Sequence, residues 1–368
     1  MENVDAIVAG AGIWGCTVAR RLAEAGRRVL VLEKRAAVGG NCRCETDPGT
    51  GIEVHVYGSH IFHTRNEDVW AFVNRFTTFN DYRHCVLARY KEKTYHLPIG
   101  CTLLKEFFGR DLKPSELDVA DKEAIFEAFI RGYTSKQWGV PPEQVPASVI
   151  ARLKVRDTFS TDYFDDPHQG IPADGYNAMF ARMLDHPNIA VECNREFTIS
   201  SIQAFERSNI YYSGPIDALF DYKFGPLPWR SLRFASESLS CRDFQGASVV
   251  NYTEASVPYT RIHEFRHYHP ESGGGLHPTI EQLNKLSNRT IIMREYPKAW
   301  AKGDEPYYPV GNPESAALLK MYQEELERFN QAIKQSNNRT ILHVGGRLGA
   351  FRYYDMDQAM SAAFAVEV

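Results

Sequence analysis

The chain has 368 residues, enough for two or three domains, and its 43% hydrophobic and 24% charged content is that of a globular protein with a large core. A net charge of −4 with no basic tract excludes nucleic acid or an anionic membrane as the main partner, so any phosphate must be met by local arginines. Acids at Glu2 and Asp5 precede the first apolar stretch and no run approaches membrane-spanning length, which predicts a cytoplasmic protein without signal peptide or membrane insertion. Ala6–Ala9 reads as a short strand, followed by Gly10, Gly12 and Gly15 in the spacing GxGxxG, a helical run to Ala25, a capping Gly26, and a second strand over 28–32 that ends in Glu33.

This order is that of a dinucleotide turn. Gly10 permits the strand-to-helix turn, Gly12 admits a pyrophosphate to the backbone, and Gly15 lets the helix lie close on the sheet, while the helix N-terminus offers amides to the phosphates. Glu33 stands where an acid grips the adenosine ribose. A lone GxGxxG is weak, but strand, glycines, helix, strand and acid in sequence are specific. Gly39, Gly40 and Asn41 bring more bare backbone to the nucleotide, an arrangement that resembles FAD-binding proteins of the glutathione-reductase and amine-oxidase kind. The cofactor expected is FAD rather than NAD.

Further along, Thr64 and Glu67 have capping-box spacing and Val69, Phe72, Val73 and Phe76 repeat at helical intervals, predicting a core-facing helix. Residues 86–90 and 94–97 read as two antiparallel strands joined by Lys91-Glu92-Lys93. Residues 122–131 read as a helix with Ile125, Phe126, Phe129 and Ile130 on one side, stopped at Gly132. Residues 315–329 form an amphipathic pattern, 341–346 a strand followed by glycine, and a last helical run starts near Asp357. NRTI at Asn288 and Asn338 predicts two turn-to-strand entries.

Two histidine sets could suggest a metal: His55, His60 and His63, and His263, His267 and His269. The second misses HExxH by one residue, and no acid or cysteine completes either at a recognised interval, so no metal is expected. The seven cysteines are odd in number and scattered without a CxxC, as reduced thiols are.

GYTSKQWG from Gly132, GSHIFHT from Gly58, QGIPADGY from Gln169, SGPIDALFDYKFG from Ser213, VPYTRI from Val257, DEPYYPV from Asp304 and GGRLGAFRYYDM from Gly345 together closely resemble the prokaryotic UDP-galactopyranose mutase family. The resemblance spans nearly the whole chain. It implies an α/β fold: a discontinuous Rossmann-like FAD domain (1–80, 189–231 and 335–368), a small helical domain (99–146) and a twisted antiparallel sheet domain for substrate (81–98, 147–188 and 232–334). It also implies an isomerase that interconverts pyranose and furanose forms of a nucleotide-diphospho-sugar, UDP-galactose first, by attack of noncovalently held, reduced FAD through N5 on the anomeric carbon, with no net oxidation. A homodimer is implied too.

By the same resemblance, Arg152 in ARLKVR matches a mobile arginine over the diphosphate, Arg261 and Arg347 two fixed ones, and Tyr163, Tyr308 and Tyr353 tyrosines that hydrogen-bond it. Phe129 and Tyr133 match the uracil platform, with Thr134 and Trp138 beside it, although Phe129 taken alone fits a helix core as well. His60 and His63 match the loop under the flavin. Cofactor contacts extend to Lys34, Arg347, Asp355 and Met356, and capping a helix is the alternative role for Asp355. Departures from the family are Ser59 for alanine, His84 for an asparagine near the sugar, and a shorter stretch between Pro98 and Phe129. Changed contacts at Ser59 and His84 would signal a 2-acetamido, 6-deoxy or non-uridine sugar. Two rivals are an FAD-dependent oxidoreductase, disfavoured in its two-fold reductase form because no second GxGxxG follows a strand, and a nucleotide-sugar binding protein without catalysis.

Overall fold

The computed structural model of the protein describes residues 4–145, 155–205, 208–269, 288–335 and 340–367. Five short apolar strands form a parallel sheet in the order Leu342–Val344, Asn209–Tyr212, Ala6–Ala9, Val29–Glu33, Ile189–Cys193. Its central strands, Ala6–Ala9 and Val29–Glu33, are buried throughout, as a parallel sheet covered on both faces requires. On one face lie the helices Ile13–Glu24, Gly175–Leu184 and Met356–Phe364, which join Val18, Met179, Phe180 and Met360 in one core. The other face is closed by Phe197, Phe205 and Leu219, with Leu326 and Phe329 of the helix Pro313–Gln335 against them.

A seven-stranded sheet follows the order Tyr308–Pro309, Trp229–Leu239, Thr290–Ala299, Arg261–Glu264, Val249–Tyr252, Val86–Tyr90, Lys93–Leu97. It is antiparallel except where Val249–Tyr252 runs parallel to Val86–Tyr90. The expected hairpin is present with a tighter turn: Lys91 and Glu92 both have positive φ, 47° and 65°, so two residues make the turn and Lys93 already belongs to the strand. Against the hairpin end of this sheet pack Cys101–Phe108, Val119–Ile125 and Phe126–Arg131, around Leu103, Leu104, Ile125 and Phe129.

Several local expectations are corrected. The helix through Phe129 does not stop at Gly132; it widens into a π turn over Phe126–Arg131 and runs on to Gly139, whose φ of 73° ends it. Gly132 is there for clearance, since a Cβ would lie 2.3 Å from the Thr253 carbonyl oxygen. The N-cap of Glu67–Val73 is Asn66, whose side chain accepts from the amides of Asp68 and Val69. Thr64 instead donates to Asp357 Oδ2 at 3.0 Å.

Residues 175–184, grouped with the antiparallel sheet on sequence, form a helix because Tyr176, Met179, Phe180 and Met183 recur at helical spacing, and it packs on the parallel sheet. The helix Pro313–Gln335 was likewise placed with the substrate sheet, yet its Leu318, Leu319 and Tyr322 pack beside Ile216, Leu227 and Trp229, while Leu326 and Phe329 reach the parallel sheet. Arg152 and Asn338 lie outside the described residues.

Candidate active site

The glycine turn works through three different constraints. Gly10 has φ +103° and a Cβ there would fall 2.2 Å from Ser213 Oγ; at Gly15 it would fall 2.0 Å from the Gly10 carbonyl oxygen. Gly12 is different: its nearest neighbour is the Cα of Gly40 at 3.9 Å, so bare backbone borders open space. Glu33 Oε2 accepts from the Ala11 amide at 2.8 Å and Oε1 from the Arg35 amide at 2.9 Å, tying the acid to the mouth of the turn. Lys34, Gly39, Gly40 and Asn41 continue the wall. Arg35 stacks over Tyr57 at 4.4 Å, donates to Asn41 Oδ1 at 3.0 Å and pairs with Glu305 at 2.6 Å.

From this turn a cavity of about 1320 Å³ extends to the inner face of the mixed sheet. That exceeds the volume of an ordinary single-ligand pocket. It has room for a dinucleotide and a second ligand.

Two arginines stand in the second chamber. Arg347 lies over Tyr353 at 4.6 Å and Tyr308 at 5.5 Å, and its buried Nε and Nη2 find no partner among the described residues. Arg261 donates to the Tyr133 hydroxyl and approaches Glu295 Oε1 at 3.6 Å. Burial opposes its charge, but Glu295 together with Tyr133 and Tyr308 outweighs burial and holds Arg261 protonated. Tyr163 and Trp138 also line the cavity, and Trp138 packs 6.1 Å from Tyr308.

The histidines are fixed by specific partners. His60 Nδ1 bonds the Gly58 carbonyl at 2.7 Å, and burial lowers its pKa to about 4. His63 is stacked on Phe164 at 3.6 Å and holds Asp166 Oδ2 at 2.6 Å. His84 sits between Tyr163 and Phe164, and burial, reinforced by the charge of Arg261, lowers its pKa to about 3.

Other expected residues fall less simply. Phe129 reaches the cavity wall but also packs in the core against Tyr95 and Phe107. Thr134 is buried and is not part of the wall. Asp355 lines the cavity and also caps Met356–Phe364, and Met356 touches the wall beside it.

The histidine sets mix with residues from elsewhere, since Cys44 and Glu53 come close to His55, and His269 bonds Glu53 at 3.1 Å. His55 Nδ1, however, accepts the His60 amide, which leaves Nε2 holding a proton rather than a lone pair for a metal.

Sequence reasoning overlooked Glu295, Lys136 and Arg156. Arg156 donates to the carbonyls of Asp162 and Tyr163 at 2.7 and 2.8 Å and so carries the Tyr163 loop. Lys136 Nζ lies 2.7–3.0 Å from four carbonyl oxygens, of Tyr252, Glu254, Val257 and Tyr259, among which its three N–H donors are shared, and so locks the helix of Tyr133 to the loop before Arg261. Lys136 lay inside a recognised motif, three residues after Tyr133 and so beside it on the helix, which was the one local signal for its role.

Fold and cavity define a Rossmann-like nucleotide-binding protein with an arginine-lined second chamber. A family profile described as UDP-galactopyranose mutase matches residues 128–353, and one described as an NAD(P)-binding Rossmann-like domain matches residues 8–76. The chain belongs to the UDP-galactopyranose mutase family. It is 35% identical to a Klebsiella pneumoniae protein named "Probable UDP-galactopyranose mutase", over 99% of this chain and 94% of that one. It is also 35% identical to the dTDP-fucopyranose mutase of Escherichia coli, over 97% and 96%. The crystal structure of reduced UDP-galactopyranose mutase shares the fold, with a TM-score of 0.65 at 14% identity over 97% of this chain and 93% of that one. No helix among the described residues is long and apolar enough to cross a membrane.

Proposed function

We propose that the protein is a mutase that interconverts the pyranose and furanose forms of UDP-galactose, with FAD in the chamber at the glycine turn and the nucleotide sugar in the chamber of Arg261 and Arg347. The observation that carries this is Arg347: a guanidinium with buried, unpartnered nitrogens and no acid against it among the described residues is a site for an anion. A diphosphate meets that need, and the tyrosines beside it supply hydroxyl donors.

FAD fits the first chamber because Gly12 presents bare backbone to open space and Arg35 Nη1 is buried without a partner there. Gly10, Gly12, Gly15, Glu33 and Gly39–Asn41 would hold it noncovalently. Reduced flavin would supply the nucleophile for the anomeric carbon, so the protein needs none of its own. The residues of this chain then bind and orient: Arg261 and Arg347 take the diphosphate as it leaves and returns, Tyr133 and Trp138 border the base, and His60 and His84 remain neutral hydrogen-bonding groups near the sugar. By the family resemblance Arg152 is a further diphosphate ligand, and the working unit is a cytoplasmic homodimer.

The Escherichia coli relative, equally similar, favours a thymidine-linked 6-deoxy sugar as the second reading. The test is to incubate FAD-loaded, dithionite-reduced protein anaerobically with UDP-galactofuranose and with dTDP-fucofuranose and separate the products by chromatography. Formation of UDP-galactopyranose supports the proposal; conversion of only the thymidine sugar moves it to the second reading, and conversion of neither sinks both.

A further inference from the structure

The loop after the strand Trp229–Leu239 is tied to the strand Arg261–Glu264, because the amides of Phe244 and Gln245 donate to the Glu264 carboxylate at 3.0–3.2 Å. This tie brings Asp243 to the turn Phe265–Tyr268. Asp243, Glu264 and His267 there hold one ligand atom each within 4.8 Å of one another. His267 Nε2 lies 3.4 Å from Asp243 Oδ1 and 3.5 Å from Glu264 Oε2. That nitrogen is buried and makes no hydrogen bond. None of the three residues lines the large cavity, so the cluster stands apart from both chambers.

Elsewhere among the described residues, a histidine that meets a carboxylate does so through a hydrogen bond of 2.6–3.2 Å: His63 with Asp166, His96 with Glu106, His168 with Glu67, His263 with Glu295, His269 with Glu53. His267 faces two carboxylates and bonds neither. Its spacing is that of ligands around a small cation, since zinc at about 2.0–2.2 Å from tetrahedral N and O ligands sets them about 3.3–3.6 Å apart. Both acids are already oriented. Glu264 is fully buried and also accepts from Thr290 Oγ1 at 2.7 Å, and Asp243 Oδ1 accepts from the Gly246 amide at 2.7 Å. The neighbouring Arg266 is bonded to the carbonyls of Arg242 and Arg289 instead of to these acids. Two carboxylates and a protonated imidazole would leave a net charge of −1; a divalent ion with neutral His267 brings the set to zero.

We propose that Asp243, Glu264 and His267 bind a divalent transition-metal ion, zinc in the first place, as a structural clasp between the loop 240–246 and the turn 265–268. Water fills the fourth position, because the Asp243 side chain is 46% exposed and leaves that side open. The imidazole selects zinc over magnesium and calcium, which take all-oxygen sites. Glu264 and His267 stand three apart on one turn, and the third ligand comes from a separate loop. Spacing along the chain therefore gave no sign of a metal at this histidine set.

The test is calorimetric titration of the full-length protein, stripped with EDTA and dialysed, with zinc chloride and separately with magnesium chloride. One equivalent of zinc should bind and magnesium should not compete for it. Zinc at about a hundredfold its dissociation constant should raise the thermal midpoint by about 3 °C. His267→Gln and Asp243→Asn should each weaken zinc binding by at least about tenfold and remove the rise in midpoint. Asp243→Asn keeps an acceptor for the Gly246 amide, so its metal-free midpoint should match that of the unmodified protein and the test stands even if His267→Gln folds poorly. His96→Gln, at an exposed histidine paired with Glu106, should leave the equivalent in place. Absence of stoichiometric zinc binding, or an equivalent of unchanged affinity in Asp243→Asn, overturns the proposal.

Discussion

The guanidinium of Arg347 lies 4.6 Å from the ring centroid of Tyr353, and no acid neutralises it among the described residues. A charge kept this way is poised for an anionic ligand. Arg347→Ala should therefore weaken UDP binding by about 1.5–3 kcal/mol, roughly tenfold to over a hundredfold. Arg347→Lys should recover little of it, because a point charge lacks the planar fork. Isothermal titration with UDP checks both; unchanged affinity would remove Arg347 from the diphosphate site.

The glycines predict two different failures. At Gly15 any side chain collides with the Gly10 carbonyl, so Gly15→Ala should lower stability and solubility. At Gly12 the space is open, so Gly12→Val should fold with an unchanged denaturation midpoint but lose the flavin absorbance of the purified protein. Retained flavin in Gly12→Val would contradict the placement of the cofactor.

Lys136 joins two parts of the site through four carbonyls. Lys136→Met leaves several of those oxygens buried without donors and should cost roughly 2–4 kcal/mol in urea unfolding. It should also raise KM more than it lowers kcat, since Tyr133 and Arg261 lose their common anchor. An unaltered midpoint would show the carbonyls to be satisfied by other means.

Acid should destabilise the protein through its buried histidines. His84 and His60 have folded pKa values of about 3 and about 4, below the ordinary value of 6.5, so between those limits the unfolded chain binds the extra protons. Stability from these groups is thus present above pH 6.5 and falls as the pH drops toward 4. For the fully buried His84, lowering the pH from 7 to 4.5 should cost about 2–3 kcal/mol, at 1.36 kcal/mol per pH unit. Urea midpoints at the two pH values should converge by that amount in His84→Asn relative to the unmodified protein; an equal acid loss in both would refute it.

What the sequence disclosed and what it hid have different physical origins. The turn at Gly10, Gly12 and Gly15 was legible because local backbone geometry dictates glycine there, and Glu33 because its distance from the turn is set by one helix and one strand. The helices near 67–76, 122–131 and 315–329 and the hairpin over 86–97 followed from apolar periodicity, while the two-sheet architecture came from the family resemblance. Gly132 misled, because glycine for clearance against Thr253 and glycine for a helix stop look the same in sequence. Glu295, Lys136 and the bond from Ser59 to His263 were hidden for a further reason: each depends on packing between distant segments, 204 residues apart for that last pair. The departure at Ser59 was visible, but its partner was not.

The most direct measurement is the anaerobic conversion of UDP-galactofuranose to UDP-galactopyranose by the same protein sample before and after reduction with dithionite, followed by chromatography. Conversion is expected to be efficient only after reduction, with no net consumption of reductant. Equal conversion by oxidised protein, or none by reduced protein that holds FAD and binds UDP, would contradict it.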